Sequence, residues 1–302
     1  MRIWKPISPG DKVALLSPSS TPDSGWVQTC METIAGWGLE PVPGAHILDT
    51  HGFMAGRDED RLADLNAAIR DPGIRAIITT RGGAGAYRIA TAVDTRALGA
   101  DPKPLVGFSD VTALHLAWQF GAGLQSIHGS TADRTGEGVR RMLLAPTTTR
   151  TIQVDASAIG VECTTGGCAT GPLYGGNLEI LARTVGTRSM SFAGGIFFFE
   201  APKTVGLGMV DRQLTQLMLS GVLDGIAGVA VGGLEGFEDY TDRGWSIIDV
   251  VTDRLHPLGV PVLGGVPAGH RLGAEPLILG APTRIDADRG TLTQFPSDSH
   301  FS

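Results

Sequence analysis

Cysteine is scarce: Cys30, Cys163 and Cys168 are the three in 302 residues. An odd, unpatterned count excludes a disulfide scaffold. Cys163 and Cys168 bracket two Thr and two Gly with no His or third Cys close by, so a zinc pattern is missing as well. No stretch approaches the ~20 apolar residues of a membrane span. The start, M-R-I-W-K-P-I-S-P-G, has no apolar run of signal-peptide length, which leads us to expect a cytoplasmic chain. Positive charge is in deficit, with a net charge of −7. That opposes nucleic-acid binding, which needs a basic footprint, and gives no sign of attachment to an anionic membrane. A small neutral or zwitterionic ligand suits the balance better. No G-x-x-x-x-G-K phosphate loop and no calcium loop occurs. These gaps call for no cofactor and no metal.

Apolar residues at 42% and charged residues at 18% are ordinary for a soluble globular protein, and the length suits one large domain or two medium ones. Glycine is abundant, with 43 residues, as it is where strands turn sharply into helices. Apolar runs at 12–16, 39–43, 74–79 and 104–108 read as strands. They alternate with helical spacing over 26–38, 57–69 and 111–120. The repetition implies an α/β fold, with a doubly wound, mostly parallel sheet whose ligands sit at strand carboxyl ends. Residues 130–170 are rich in Thr, Gly and small polar side chains and read as a linker or mobile loop. Beyond them, helices at 178–185, 210–219 and 246–255 and strands at 195–200 and 228–232 suggest a mixed α/β second domain. The segment 277–293 resembles a hairpin. The expected division is 1–135, a linker over 136–168, and 169–302.

Chemistry concentrates at a few turns. In P-L-V-G-F-S-D-V-T an apolar strand stops and Ser109 follows on a turn into a helix, the layout that lifts a nucleophilic hydroxyl above a sheet. Gly107 fits the G-x-S-x-G pattern but Val111 fills its last position, and Ser109 or Asp110 serving simply as a helix cap is the competing reading. The next N–H, on Asp110, is placed to stabilise an oxyanion. The base has several candidates: His46 and His51 flank an early turn, His115 lies inside a helix, and His300 is near the chain's end. His128 ends S-I-H and is a direct competitor to His270, in the loop G-V-P-A-G-H-R-L-G. Glu200, at the end of I-F-F-F-E, is a carboxylate that could orient such a histidine, or reach water or an arginine. The glycines of R-G-G-A-G, Gly82 and Gly83 first, would let backbone N–H groups approach a substrate. As a dinucleotide fingerprint this turn is poor, with Arg88 where a third Gly belongs.

Taken together, these segments resemble the LD-carboxypeptidase family of serine peptidases, which includes muramoyltetrapeptide carboxypeptidases and microcin-immunity-type hydrolases. The resemblance runs almost end to end: V-A-L-L-S-P-S-S, G-R-D-E-D-R-L-A-D-L-N, T-R-G-G-A-G-A-Y-R-I, G-F-S-D-V-T-A-L, I-H-G-S, G-P-L-Y-G-G-N-L, I-F-F-F-E, D-R-Q-L-T-Q-L, G-V-P-A-G-H and P-L-I-L-G-A. It implies Ser109 as nucleophile, with Glu200 and His270 completing the triad. The oxyanion hole would come from the backbone of Asp110 and of Gly82 or Gly83. His128 would then have a structural or substrate-wall role. The implied fold is an N-terminal α/β domain and a smaller C-terminal one with the active site in the cleft between them, in a homodimer. The implied reaction is acyl transfer on a small peptide or peptide-conjugate, the reference substrate being a murein tetrapeptide that loses its terminal D-alanine. Two departures bear on substrate. Residues 130–170 hold no Trp on which a nucleobase could stack, and A-P-K-T-V-G-L-G-M after Glu200 lacks the acid often found there. The rival readings are a self-immunity hydrolase of an acylated peptide-nucleotide and a catalytically silent small-peptide binder.

Overall fold

A computed structural model describes residues 1–295, apart from the side chains of 133–135. His300 lies outside the described residues. The strands, in chain order, are β1 (Lys12–Leu16), β2 (Glu40–Pro43), β3 (Ile74–Thr79), β4 (Leu105–Gly107), β5 (Ser126–His128), β6 (Arg150–Gln153), β7 (Cys168–Asn177), β8 (Ile196–Glu200), β9 (Gly228–Val231), β10 (Thr241–Asp242), β11 (Trp245–Ser246), β12 (Val262–Leu263), β13 (Leu277–Leu279), β14 (Pro282–Asp286) and β15 (Thr291–Gln294). The chain divides into two compact units. One is 1–148 with 276–279 returned to it, and the other is 149–275 with 280 onward.

In the first unit the described residues form a six-stranded sheet in the order β13-β5-β4-β3-β1-β2. All neighbours are parallel except β13, which runs antiparallel to β5. Its five parallel strands follow the 2-1-3-4-5 order of a doubly wound sheet, whose direction reverses between β1 and β3. β1 and β3 are apolar because helices cover the faces of a parallel sheet, where the side chains point. Helix α1 (Ser24–Gly36) starts where the Asp23 carboxylate accepts the Trp26 N–H at 2.8 Å, and it buries Val27, Cys30 and Ile34. Helix α2 (Asp58–Arg70) has three acids in its first turn, which suit the positive end of its dipole.

In the second unit the order is β12-β9-β8-β7-β14-β15-β6. Strand β8 lies between parallel neighbours β7 and β9, so every residue of I-F-F-F-E is buried. The parallel register sets Asn177, the last residue of β7, beside Glu200, the last of β8. Strands β14 and β15 make the expected hairpin.

The stretch 136–168 is more ordered than the linker or mobile loop expected from its composition. It carries most of the helix Asp133–Leu144, then β6, which pairs with β15. Its two glycines disguise the helix, because glycine is a poor helix former. The structure uses Gly138 for close packing, since a Cβ there would come 2.7 Å from the Pro276 ring. Val139, Met142 and Leu143 of the same helix are fully buried.

Candidate active site

Ser109 stands at the carboxyl end of β4 and has φ +62°, in the left-handed region that a non-glycine residue enters only at a cost. The helical run it opens changes pitch twice between 109 and 121. Strain at a strand-to-helix turn is the mark of a nucleophile elbow. The departure from G-x-S-x-G has a local explanation. Val111 Cγ1 occupies the space 2.6 Å from where a Gly107 Cβ would be, so the glycine before Ser109 makes room for the valine after it. Gly82 abuts Ser109: a Cβ on Gly82 would fall 2.7 Å from Ser109 Cβ and 3.1 Å from its Oγ. Gly83 lies instead against Ser20, whose Oγ accepts the Ala84 N–H at 3.0 Å.

Asp110 does more than its backbone suggested. Its buried carboxylate accepts the Ser19 hydroxyl and the Ala86 N–H, both at 2.8 Å, and a further backbone N–H from Tyr87. The acid thereby ties the loop after β1 and the R-G-G-A-G turn to the elbow. Burial pushes its carboxyl up, and these donors together with the Arg61 charge oppose that rise. Arg61 is itself buried, with Nη1 donating to the Pro18 carbonyl and Nη2 pairing with Asp58. This support was invisible in sequence, where Asp110 read as an oxyanion donor or a cap.

In the second unit Glu200 and His270 are brought together. His270 Nδ1 lies 2.8 Å from Glu200 Oε2, and the Glu200 side chain is fully buried while that of His270 is 28% exposed. The other Glu200 oxygen accepts Asn177 Nδ2–H at 3.0 Å, a contact the β7–β8 register dictates. Asn177 also caps the next helix by accepting the Ile180 N–H. In the sequence, Gly175, Gly176 and Asn177 read as the opening of a helix, which they are, but gave Asn177 no part in the site. Gly269 has φ +128°, and a Cβ there would come 2.9 Å from Glu200 Cβ, so glycine alone lets the chain deliver His270 to the carboxylate. Burial pulls the His270 pKa down, but the hydrogen bond and charge of Glu200, with Glu235 behind, outweigh it and hold the ring above its usual value.

His128 and His115 are held within the first unit. His128 is buried at the end of β5, edge-on to Phe108 with ring centroids 6.1 Å apart. His115 is buried with Nε2 2.9 Å from the Gly107 carbonyl and Nδ1 2.8 Å from Ser126 Oγ. The carbonyl can only accept, so Nε2 carries the proton and Nδ1 accepts from the serine. Two clusters bring potential metal ligands within 4.8 Å of one another, His46 with Asp49 and Asp60, and Cys168 with Asp286 and Asp288. In the first, His46 Nδ1 is already 2.8 Å from Asp49, and in the second Arg284 reaches Cys168 at 3.6 Å. Among the described residues no helix is long and apolar enough to cross a membrane.

Comparison with known proteins agrees with this arrangement of elements. Residues 13–129 match the LD-carboxypeptidase N-terminal domain, and residues 170–285 the LD-carboxypeptidase C-terminal domain. A Streptomyces coelicolor protein that carries the name of a carboxypeptidase is 38% identical, over 95% of this chain and 94% of its own. The murein tetrapeptide carboxypeptidase of Pseudomonas aeruginosa is 28% identical over 88% of this chain and 90% of its own. Among solved structures, the muramoyltetrapeptide carboxypeptidase of Oxalobacter formigenes has a TM-score of 0.80 at 24% identity, covering 94% of this chain and 99% of its own. The microcin C7 self-immunity protein MccF reaches 0.85 at 21% identity, covering 99% of both chains. At such identities the two structures establish a shared fold.

Proposed function

Since this chain belongs to the LD-carboxypeptidase family, we propose that it is a cytoplasmic serine carboxypeptidase that cuts an L,D-peptide bond and releases the terminal D-alanine of a murein tetrapeptide. The observation that carries the reading is the 2.8 Å pair of a fully buried Glu200 with His270. A buried carboxylate on Nδ1 fixes the tautomer that leaves Nε2 free as a base, and it stabilises the imidazolium that forms. The strained Ser109 supports the same reading from the first unit. The murein peptide follows the name of the Pseudomonas relative.

In this mechanism His270 Nε2 takes the Ser109 proton as Oγ attacks the scissile carbonyl carbon. The oxyanion is held by the N–H of Asp110 and by that of Gly82 or Gly83. Collapse of the tetrahedral intermediate breaks the C–N bond, and His270 gives its proton to the departing amine of D-alanine. Water then attacks the Ser109 ester, its proton passing to His270, and Ser109 Oγ recovers a proton as the carboxylate product leaves.

Mass-spectrometric turnover of L,D-linked muropeptides and of acylated aminoacyl-nucleotide analogues tests the proposal, with wild type and Ser109→Ala side by side. We expect D-alanine loss by wild type alone. Cleavage confined to the nucleotide conjugates would move the protein to a self-immunity role, and equal inertness of both proteins would leave a silent binder.

A further inference from the structure

Arg61 is placed against local preference. It is the fourth residue of α2, where the positive end of the helix dipole opposes a cation, and its side chain is fully buried, which is costly for a charge. Its Nε is buried with no acceptor among the described residues. Asp58, one turn back on the same helix, partners it, but that acid is 31% exposed and also binds Arg88 at 2.7 Å. A pair of this kind forms at the surface at less cost. The burial calls for a reason beyond α2.

That reason lies in what the guanidinium touches. Nη1 donates to the Pro18 carbonyl in the loop after β1. Gly85 of the R-G-G-A-G turn lies against the same nitrogen. A Cβ there would come 2.6 Å from Nη1 and 3.2 Å from the Ser19 carbonyl, and φ is +135°, so only glycine permits the approach. Asp110 grips the neighbouring residues of the same two segments, through the Ser19 hydroxyl and the Ala86 N–H. Pro18 and Gly85 therefore rest on the cation, while Ser19 and Ala86, the next residue of each segment, are bound by the anion. Burial pushes the Asp110 carboxyl up, and the Arg61 charge is among the influences that bring it back.

We propose that Arg61 is a positioning residue for the oxyanion hole, acting through the Asp110 carboxylate and the two segments it shares with that acid. The inference rests on the proposed roles of Ser109 as nucleophile and of the Asp110 and Gly82 or Gly83 N–H groups as oxyanion donors. One donor sits on Asp110 itself. The other stands a few residues before Gly85, in the segment laid against the guanidinium. Arg61 and Asp110 together fix the spacing between the two donors, and such donors are effective because they are preorganised. The effect belongs to kcat, because the oxyanion develops in the transition state and ground-state binding does not need it.

Steady-state turnover of an L,D-linked tetrapeptide is measured for full-length wild type, Arg61→Gln, Asp110→Asn and the double variant, each expressed per folded molecule from circular dichroism. Arg61→Gln should lower kcat about 10- to 100-fold and leave KM within about twofold. On the Asp110→Asn background the same change should cost less than about threefold, since the route through Asp110 is already broken. Arg61→Lys keeps the charge and gives up the planar fork, so it should show a smaller kcat loss of the same kind. It carries the test if the Gln variant does not fold. Wild-type kcat in every Arg61 variant that folds, a loss that falls on KM, or full additivity with Asp110→Asn would each overturn the inference while the hydrolase reading stands. Wild type inert towards the peptide would overturn the hydrolase reading and this inference with it.

Discussion

His270 is proposed as a base, yet its surroundings favour the protonated ring. Burial disfavours the charge, but Glu200 and then Glu235 more than restore it, so the pKa is raised. The consequences for activity and stability have opposite signs. The neutral ring that accepts a proton becomes available as pH rises through the raised pKa. The stabilisation from the ion pair is full below the ordinary value of about 6.5 and is lost as pH rises through the folded value. Glu200→Gln should therefore lower kcat by roughly 10³- to 10⁴-fold and move the acid limb of the kcat/KM profile to lower pH. The same variant should destabilise the protein at pH 6 more than at pH 9, as denaturant titrations at the two pH values would show. An unmoved acid limb would mean that His270 is not the titrating base.

Elements are tied to one another by a few buried polar groups, of which His115 is the most exacting. It reaches from the helix after the elbow to β4 through the Gly107 carbonyl and to β5 through Ser126. Complete burial lowers its pKa to about 4, against the backbone hydrogen bond that favours charge. The stabilisation of such a neutral histidine is present above about 6.5 and is lost as pH falls through 4, so acidification from pH 7 to 4 should cost the fold about 3 kcal/mol through this one group. His115→Gln should flatten that part of the stability–pH curve, measured by urea unfolding; an unchanged slope would remove His115 as its source. Strands β1 to β4, β8 and β9 were legible in sequence because each is a short apolar run closed by a turn. Ser109, Glu200 and His270 follow such runs, but so does His128, and it was the family resemblance that chose among them. Three things were hidden, each for a physical reason. The glycines of the helix at 133–144 look like loop but serve contact with Pro276. Strand β7, C-A-T-G-P-L-Y-G-G-N, is interrupted by glycine and proline and so lacks the continuous apolar run that marks its neighbour β8. The apolar triplet L-I-L at 277–279 seemed part of a local hairpin, whereas its partner is β5, and local pattern carries no information about so distant a pairing.

At the scale of the whole molecule the chain leaves the first unit after 148, returns for 276–279 and leaves again. A cut at 148 therefore yields a fragment without β13, whose Leu277, Ile278 and Leu279 pair with His128, Ile127 and Ser126. All three of those apolar residues are buried. The fragment 1–148 should self-associate and melt without a sharp transition, because β5 becomes an open apolar edge. A monomeric fragment with a cooperative melt would show β13 to be dispensable. The same pairing sets a timetable in the living cell. About 150 residues must leave the ribosome after β5 before its partner exists, and at roughly 5–20 residues per second that is a wait of ~8–30 s. For that interval the first half of the newborn protein is a sheet with one side unfinished, a natural client for whatever shields nascent chains.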